Sequence, residues 1–108
     1  YAWDRTTGSA GVTVAVIDTG VQVSHPDLAG NISSGYDFYN DTTQVTDHNG
    51  HGTHVAGIIG AVTNNGLGIS GINWDVSIMA LKAADDSGAG YLKTSSWKRQ
   101  LNTRIIRV

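Results

Sequence analysis

Val12-Thr13-Val14-Ala15-Val16-Ile17-Asp18-Thr19-Gly20 is the stretch that decides the fold. A run of β-branched and small apolar residues stops abruptly at Asp-Thr-Gly. An uninterrupted apolar run of strand length predicts a strand buried on both faces, as in a parallel sheet. The carboxyl end of such a strand is where open α/β sheets place their ligands. A carboxylate there costs free energy to bury unless it is hydrogen-bonded or paired. Two readings of Asp18 stay open at this point: a turn-capping residue bonding its own backbone, or a functional carboxylate.

Outward from this strand the chain continues in α/β order. Residues 24–35 are turn-rich, Tyr36–Tyr39 is a short strand candidate, and Asn40–Gly50 is a polar loop. A helix is predicted from His51 or Gly52, because Val55, Ile58, Ile59 and Val62 recur at helical spacing. Small Ala56, Gly57, Gly60 and Ala61 allow that helix to lie close against a sheet. Asn64-Asn65-Gly66-Leu67-Gly68 ends it. Val76–Ala83 reads as another buried strand, and Asp85–Gly90 as a loop. Strand, helix, strand predicts a βαβ unit in an α/β domain built on a parallel sheet.

The 108 residues hold 40% hydrophobic and 15% charged side chains, a globular rather than a disordered composition. There is no cysteine, which excludes disulfides and thiolate metal sites. No apolar run reaches membrane-spanning length, and no basic-then-apolar signal opens the chain. The net charge of −2 conceals a split. All nine acids are Asp and precede residue 92, accompanied only by Arg5 and Lys82. Lys93, Lys98, Arg99, Arg104 and Arg107 follow with no acid among them. Such asymmetry marks segments of different origin or role. The reading adopted for the tail involves neither nucleic acid nor membrane.

Asp47-His48-Asn49-Gly50-His51-Gly52-Thr53-His54 places three histidines at spacings of three. One reading is a zinc site of His48, His51 and His54, since His at i and i+3 can share a helix face. Gly50 and Gly52 argue against a rigid helix through His48, and no His-Glu-x-x-His pattern is present. The other reading is one functional His at a helix start, with His54 one turn on and packed under the helix. That functional His needs a carboxylate to hold its tautomer, and Asp18 is a candidate. Asp plus His makes two-thirds of a nucleophilic relay.

Val14–Val21 resembles the Asp motif of the subtilisin-like serine proteases (subtilases), and His51–Gly57 resembles their His motif. Ser24–Leu28 is similar to the segment that follows the Asp motif. The order and the 33-residue separation match as well. The resemblance runs from about Ala2 to Tyr91 and has a thermitase-like character. It implies a parallel-sheet subtilisin-like α/β fold, here its N-terminal part, and serine endopeptidase activity on polypeptides. It also implies secretion through a form carrying a pro-segment. In that scheme Asp18 orients His51, and His51 shuttles the proton of a Ser hydroxyl. His25 and His48 receive no role.

The resemblance further implies calcium, a hard cation suited to oxygen ligands. Asp27 and Asn65 would supply side-chain oxygens, with backbone carbonyls of Thr63, Leu67 and Ile69. A second, weaker position would use Asp37 and Asp47, against the alternative of solvated loop carboxylates. Gly88, Ala89 and Gly90 resemble the edge segment on which substrate backbone pairs as an added strand.

No serine lies in a Gly-Thr-Ser-Met-Ala nucleophile motif, and the oxyanion-hole Asn segment is missing. The 108 residues alone are therefore expected to be inactive. An alternative function is that of a calcium-binding remnant, or a fragment that pairs with a missing C-terminal half. Residues 1–92 read as family sequence and 93–108 as a non-family basic tail. Sliding the reading frame one nucleotide upstream turns that tail, under available codon choices, into an amphipathic helix. A glutamate in it is forced by the Trp97 and Lys98 codons. A frameshift near codon 93 is the expectation, and the nucleotide sequence of the gene tests it.

Overall fold

The computed structural model describes residues 1–89; the expectations for Gly90 and for the 93–108 tail lie outside them. Three strands and one helix follow in the order β1 (Gly8–Asp18), β2 (Ile32–Asp37), α1 (His51–Gly60) and β3 (Asp75–Lys82). Short 3-10 turns occupy Ala2–Asp4 and Ala29–Asn31. The sheet is parallel, in the order β1-β3-β2. Asp18 and Asp37 both register with Lys82, so the three strands end level and bring three charged residues to their carboxyl ends.

The helix packs on β1 and β3 through its smallest residues. Gly52, Ala56, Gly57 and Gly60 are buried, and Val55 and Ile59 flank the core formed by Val16, Val76, Ile78 and Ala80. A Cβ on Gly60 would stand 2.3 Å from Val76 Cγ1, so the close approach requires glycine there. Ile58 points to solvent instead, and Val62 lies beyond the helix end, where its N–H donates to Asp27 O. A second cluster joins Tyr36, Phe38, Leu81 and Met79 on the other face, with the two rings edge to face at 5.0 Å.

Among the described residues β1 is not buried on both faces. Val16 alone is fully buried, while Val12 is 57% and Ile17 50% exposed. The physical reason is position: among the described residues β1 is an edge strand, and only α1 covers it, from one side. The doubly covered strand is the central β3, whose Val76, Ile78, Ala80, Leu81 and Lys82 are buried.

The short strand candidate at Tyr36–Tyr39 is shifted as well. β2 begins at Ile32, inside the segment read as turn, because pairing with β3 overrides the local turn preference of Ser33, Ser34 and Gly35. It stops at Asp37, whose carboxylate accepts from the N–H groups of Tyr39 and Asn40 and turns the chain away.

Candidate active site

The site is built where β1 ends and α1 begins. Asp18 closes β1, and its Oδ1 accepts from its neighbour's N–H, Thr19 N, at 2.7 Å. His51 opens α1. Its Nδ1 lies 2.8 Å from Asp18 Oδ1 and 2.9 Å from Oδ2. The carboxylate is 13% exposed and the imidazole 66%, so the ring is held from behind by a largely buried anion and faces outward. Asp18 thus caps its own turn and also binds the histidine.

The helix starts at His51 because its first N–H groups find side-chain acceptors despite two flanking glycines. His51 N donates to Asn49 Oδ1, Gly52 N to Thr19 Oγ1, and Thr53 N to Asp47 Oδ2. Gly50 precedes them with φ of 101°. At the far end, Asn31 and Asn73 donate to the carbonyls of Gly60 and Ile59.

Asp47 is the hub of this N-terminus. Burial by itself raises its pKa. Hydrogen bonds from the Thr53 hydroxyl, from the Gly50 and Thr53 N–H groups and from the Thr19 hydroxyl outweigh that and lower it to about 2. A cation shared with Asp37 would have to displace these donors. The oxygens of Asp47 are taken by helix and turn donors, and those of Asp37 by Tyr39 N, Asn40 N and Asn40 Nδ2.

The zinc reading of His48, His51 and His54 is corrected. Among the described residues no group of three or more His, Cys, Asp or Glu is placed to hold a metal. His51 Nδ1 is engaged by Asp18, and His48 is exposed. His54 is not packed under the helix as expected. It is exposed, on the face opposite buried Gly52 and Ala56, and lines an open pocket with His25, Leu28 and Ile69. The reason is that the sheet contacts run along the Gly52–Ala56–Gly60 row, one turn apart, which leaves 54 and 58 pointing away.

Asp27 is buried at the centre of the 62–69 loop. Its Oδ1 accepts from Asn65 Nδ2 at 2.8 Å and its Oδ2 from Ile69 N at 2.9 Å, while Leu67 N donates to Asn65 Oδ1. The Asn65 amide first, and the Ile69 N–H second, lower the pKa of Asp27. Thr63 stands at the start of the loop, its hydroxyl on Ala61 O. A Cβ on Gly68 would fall 2.2 Å from Asp27 Oδ2, so the loop backbone lies directly on the carboxylate. A buried carboxylate with an amide side chain beside it offers oxygen donors of the kind a hard cation takes. A cation there would compete with Asn65 Nδ2 for Asp27.

Gly88 sits beside the start of α1, and Ala89 N donates to Ser87 Oγ. Gly88 has φ of 77°, a Cβ on it would lie 3.3 Å from Asn49 Nδ2, and Asn49 Nδ2 donates to Asp86 O. The sequence reading missed Lys82. This lysine is 3% exposed, and its Nζ donates to Thr19 O at 2.9 Å, Thr46 O at 3.1 Å and Asp86 Oδ1 at 2.7 Å. The available signal was a lone lysine closing an apolar strand level with Asp18.

A parallel sheet with an Asp–His pair at its carboxyl edge defines the class, and comparison with known proteins supplies the family. The subtilase (peptidase S8) family model matches residues 9–106. A thermophilic serine proteinase of Bacillus sp. (strain AK1) is 52% identical over 92 residues, covering 85% of this chain and 23% of that protein. Thermitase of Thermoactinomyces vulgaris is 51% identical over 89 residues, covering 82% and 32%. The solved structure of sphericase superposes with a TM-score of 0.72 at 44% identity, covering 78% of this chain and 29% of that one. This chain belongs to the subtilase family, and its sheet and helix form part of the subtilisin-like α/β fold. It spans about a quarter to a third of the length of these relatives.

Proposed function

We propose that this chain contributes the Asp and His of a serine endopeptidase active site. The observation that supports this most directly is His51 Nδ1 held by both oxygens of Asp18, with the rest of the ring exposed. The carboxylate fixes the Nδ1–H tautomer and stabilises the imidazolium. The opposite nitrogen then takes the proton of a serine hydroxyl and returns it to the leaving amine. The serine comes from outside the 108 residues. Gly88 lies beside the helix start, and Gly88, Ala89 and Gly90 are the segment on which an extended polypeptide substrate would pair. Calcium at Asp27 and Asn65, with carbonyls of Thr63, Leu67 and Ile69, would hold the loop. Secretion and a pro-segment complete the reading: some matched relatives are named extracellular proteases, although one is named intracellular.

The test supplies a nucleophile-bearing C-terminal portion of a close subtilase, by fusion or by mixing, and follows cleavage of a chromogenic peptide. Cleavage is expected, and His51→Ala should reduce it by about 10⁶-fold and Asp18→Asn by about 10⁴-fold, magnitudes that are subtilisin's own. Retained activity in either variant refutes the assignment.

A second reading, a binding fragment that pairs with a separately made C-terminal half, rests on the uncovered apolar side chains Val12 and Ile17 of β1. Tight association of the two halves without catalysis would favour it over the first.

A further inference from the structure

Thr19 follows Asp18 and Gly52 follows His51, and one hydroxyl joins them. Thr19 Oγ1 accepts from Gly52 N at 3.0 Å and donates to Asp47 Oδ1 at 2.9 Å. Asp47 Oδ1 also accepts from Asn49 N and Gly50 N, on the approach to His51. Its Oδ2 accepts from Thr53 N and from Thr53 Oγ1 at 2.6 Å, inside the first helical turn. Thr53 Oγ1 accepts in turn from Gln22 N. Thr19 and Asp47 are both buried. A Cβ on Gly52 would stand 2.0 Å from Gly20 O, so the two backbones cross here with no slack.

We propose that Asp47, acting through the Thr19 hydroxyl, is a positioning residue that sets the contact between His51 and Asp18. Its role in catalysis rests on the reading of that pair given above; the contact itself does not. The carboxylate turns the Thr19 hydroxyl so that its proton points to Asp47 and its lone pair to Gly52 N. The hydroxyl therefore couples the end of β1 to the start of α1 in one geometry. A proton pointing the other way would meet the Gly52 N–H, donor against donor. With the crossing locked, the imidazole stands against both carboxylate oxygens and carries its proton on Nδ1. Without the lock, the exposed ring is free to swing to water, where neutral histidine favours the proton on Nε2.

The tautomer is therefore the readout, and it requires no nucleophile. The chain is prepared with ¹⁵N-labelled histidine, and His51 is assigned by the signal lost in His51→Gln. Long-range ¹H–¹⁵N spectra are recorded at a pH where the rings are neutral. The unmodified chain should show His51 as Nδ1–H. Thr19→Val, close in shape but without the hydroxyl, and Asp47→Asn should shift it to the Nε2–H form of free histidine. Thr19→Ser should restore Nδ1–H. Thr53→Val takes a different bond from the same carboxylate and should keep Nδ1–H, even with a lowered Tm.

Nδ1–H persisting in folded Thr19→Val overturns the proposal, as does its loss to the same extent in Thr53→Val. Unfolding of Thr19→Val under conditions where Thr53→Val stays folded overturns it too, by making the hydroxyl merely structural. If Asp47→Asn alone unfolds, the Thr19 variants decide. An unmodified chain already in the Nε2–H form removes the contact and the proposal together. Absence of peptide cleavage in the reconstituted enzyme would instead count against the functional reading while leaving the tautomer result intact.

Discussion

Asp47 makes a quantitative prediction about acid stability. Burial by itself raises its pKa, but the Thr53 hydroxyl, the Gly50 and Thr53 N–H groups of the folded helix start and the Thr19 hydroxyl from the end of β1 lower it from an ordinary 3.8 to about 2. A carboxylate lowered this far favours the folded state by about 2 to 3 kcal/mol when it is ionised. The folded pKa is the depressed one, so this stabilisation is complete above about pH 5, beyond the unfolded pKa. It is lost as the pH falls through the unfolded value toward about 2, where the folded carboxylate also takes its proton. Asp47→Asn cannot ionise, and its amide turns N–H donors toward the Thr53 N–H or the Gly50 N–H. It should cost about 2 to 3 kcal/mol at pH 7, and the gap to the unmodified chain should shrink steadily between about pH 4 and pH 2. Urea unfolding of both proteins at pH 7, 5, 4, 3 and 2.5, followed by far-UV circular dichroism, measures that gap. A gap near zero at neutral pH, or one that stays constant down to pH 2.5, refutes the reasoning.

Three further outcomes follow from the geometry. Gly52→Ala drives a Cβ to 2.0 Å from Gly20 O and should cost about 3 kcal/mol. Gly66→Ala, with φ of 71° and open space, should cost about 1 kcal/mol, and thermal melts of the two variants compare them. Lys82→Met strips the buried carbonyls of Thr19 and Thr46 of their donor and should lose about 3 kcal/mol in urea unfolding; a loss under 1 kcal/mol would show that solvent reaches them. Calcium at a hundred times its dissociation constant should stabilise the chain by about 2.7 kcal/mol. Asp27→Asn should abolish that dependence, and a calcium-insensitive Tm in the unmodified chain would remove the ion from the proposal.

The parts of this protein that its sequence determined by itself are those carried by local pattern. A β-branched run ending in Asp18-Thr19-Gly20, helical periodicity from His51 and a second apolar run to Lys82 each express a preference within one segment. Together with two short motifs 33 residues apart they define the α/β class, the family and the pairing of Asp18 with His51. Tertiary structure decided what depends on which segments meet. Among the described residues the order β1-β3-β2 makes β1 an edge and exposes Ile17, although its composition matches that of the buried β3. Packing along Gly52, Ala56 and Gly60 turns His54 outward. Asp47 reads as a loop carboxylate until Thr19, 28 residues earlier, reaches it, and Lys82 reads as a strand end until the carbonyls of Thr19 and Thr46 close over its ammonium. A side chain's hydrogen-bond partners and burial are set by neighbours distant in sequence, and local propensity carries no information about them.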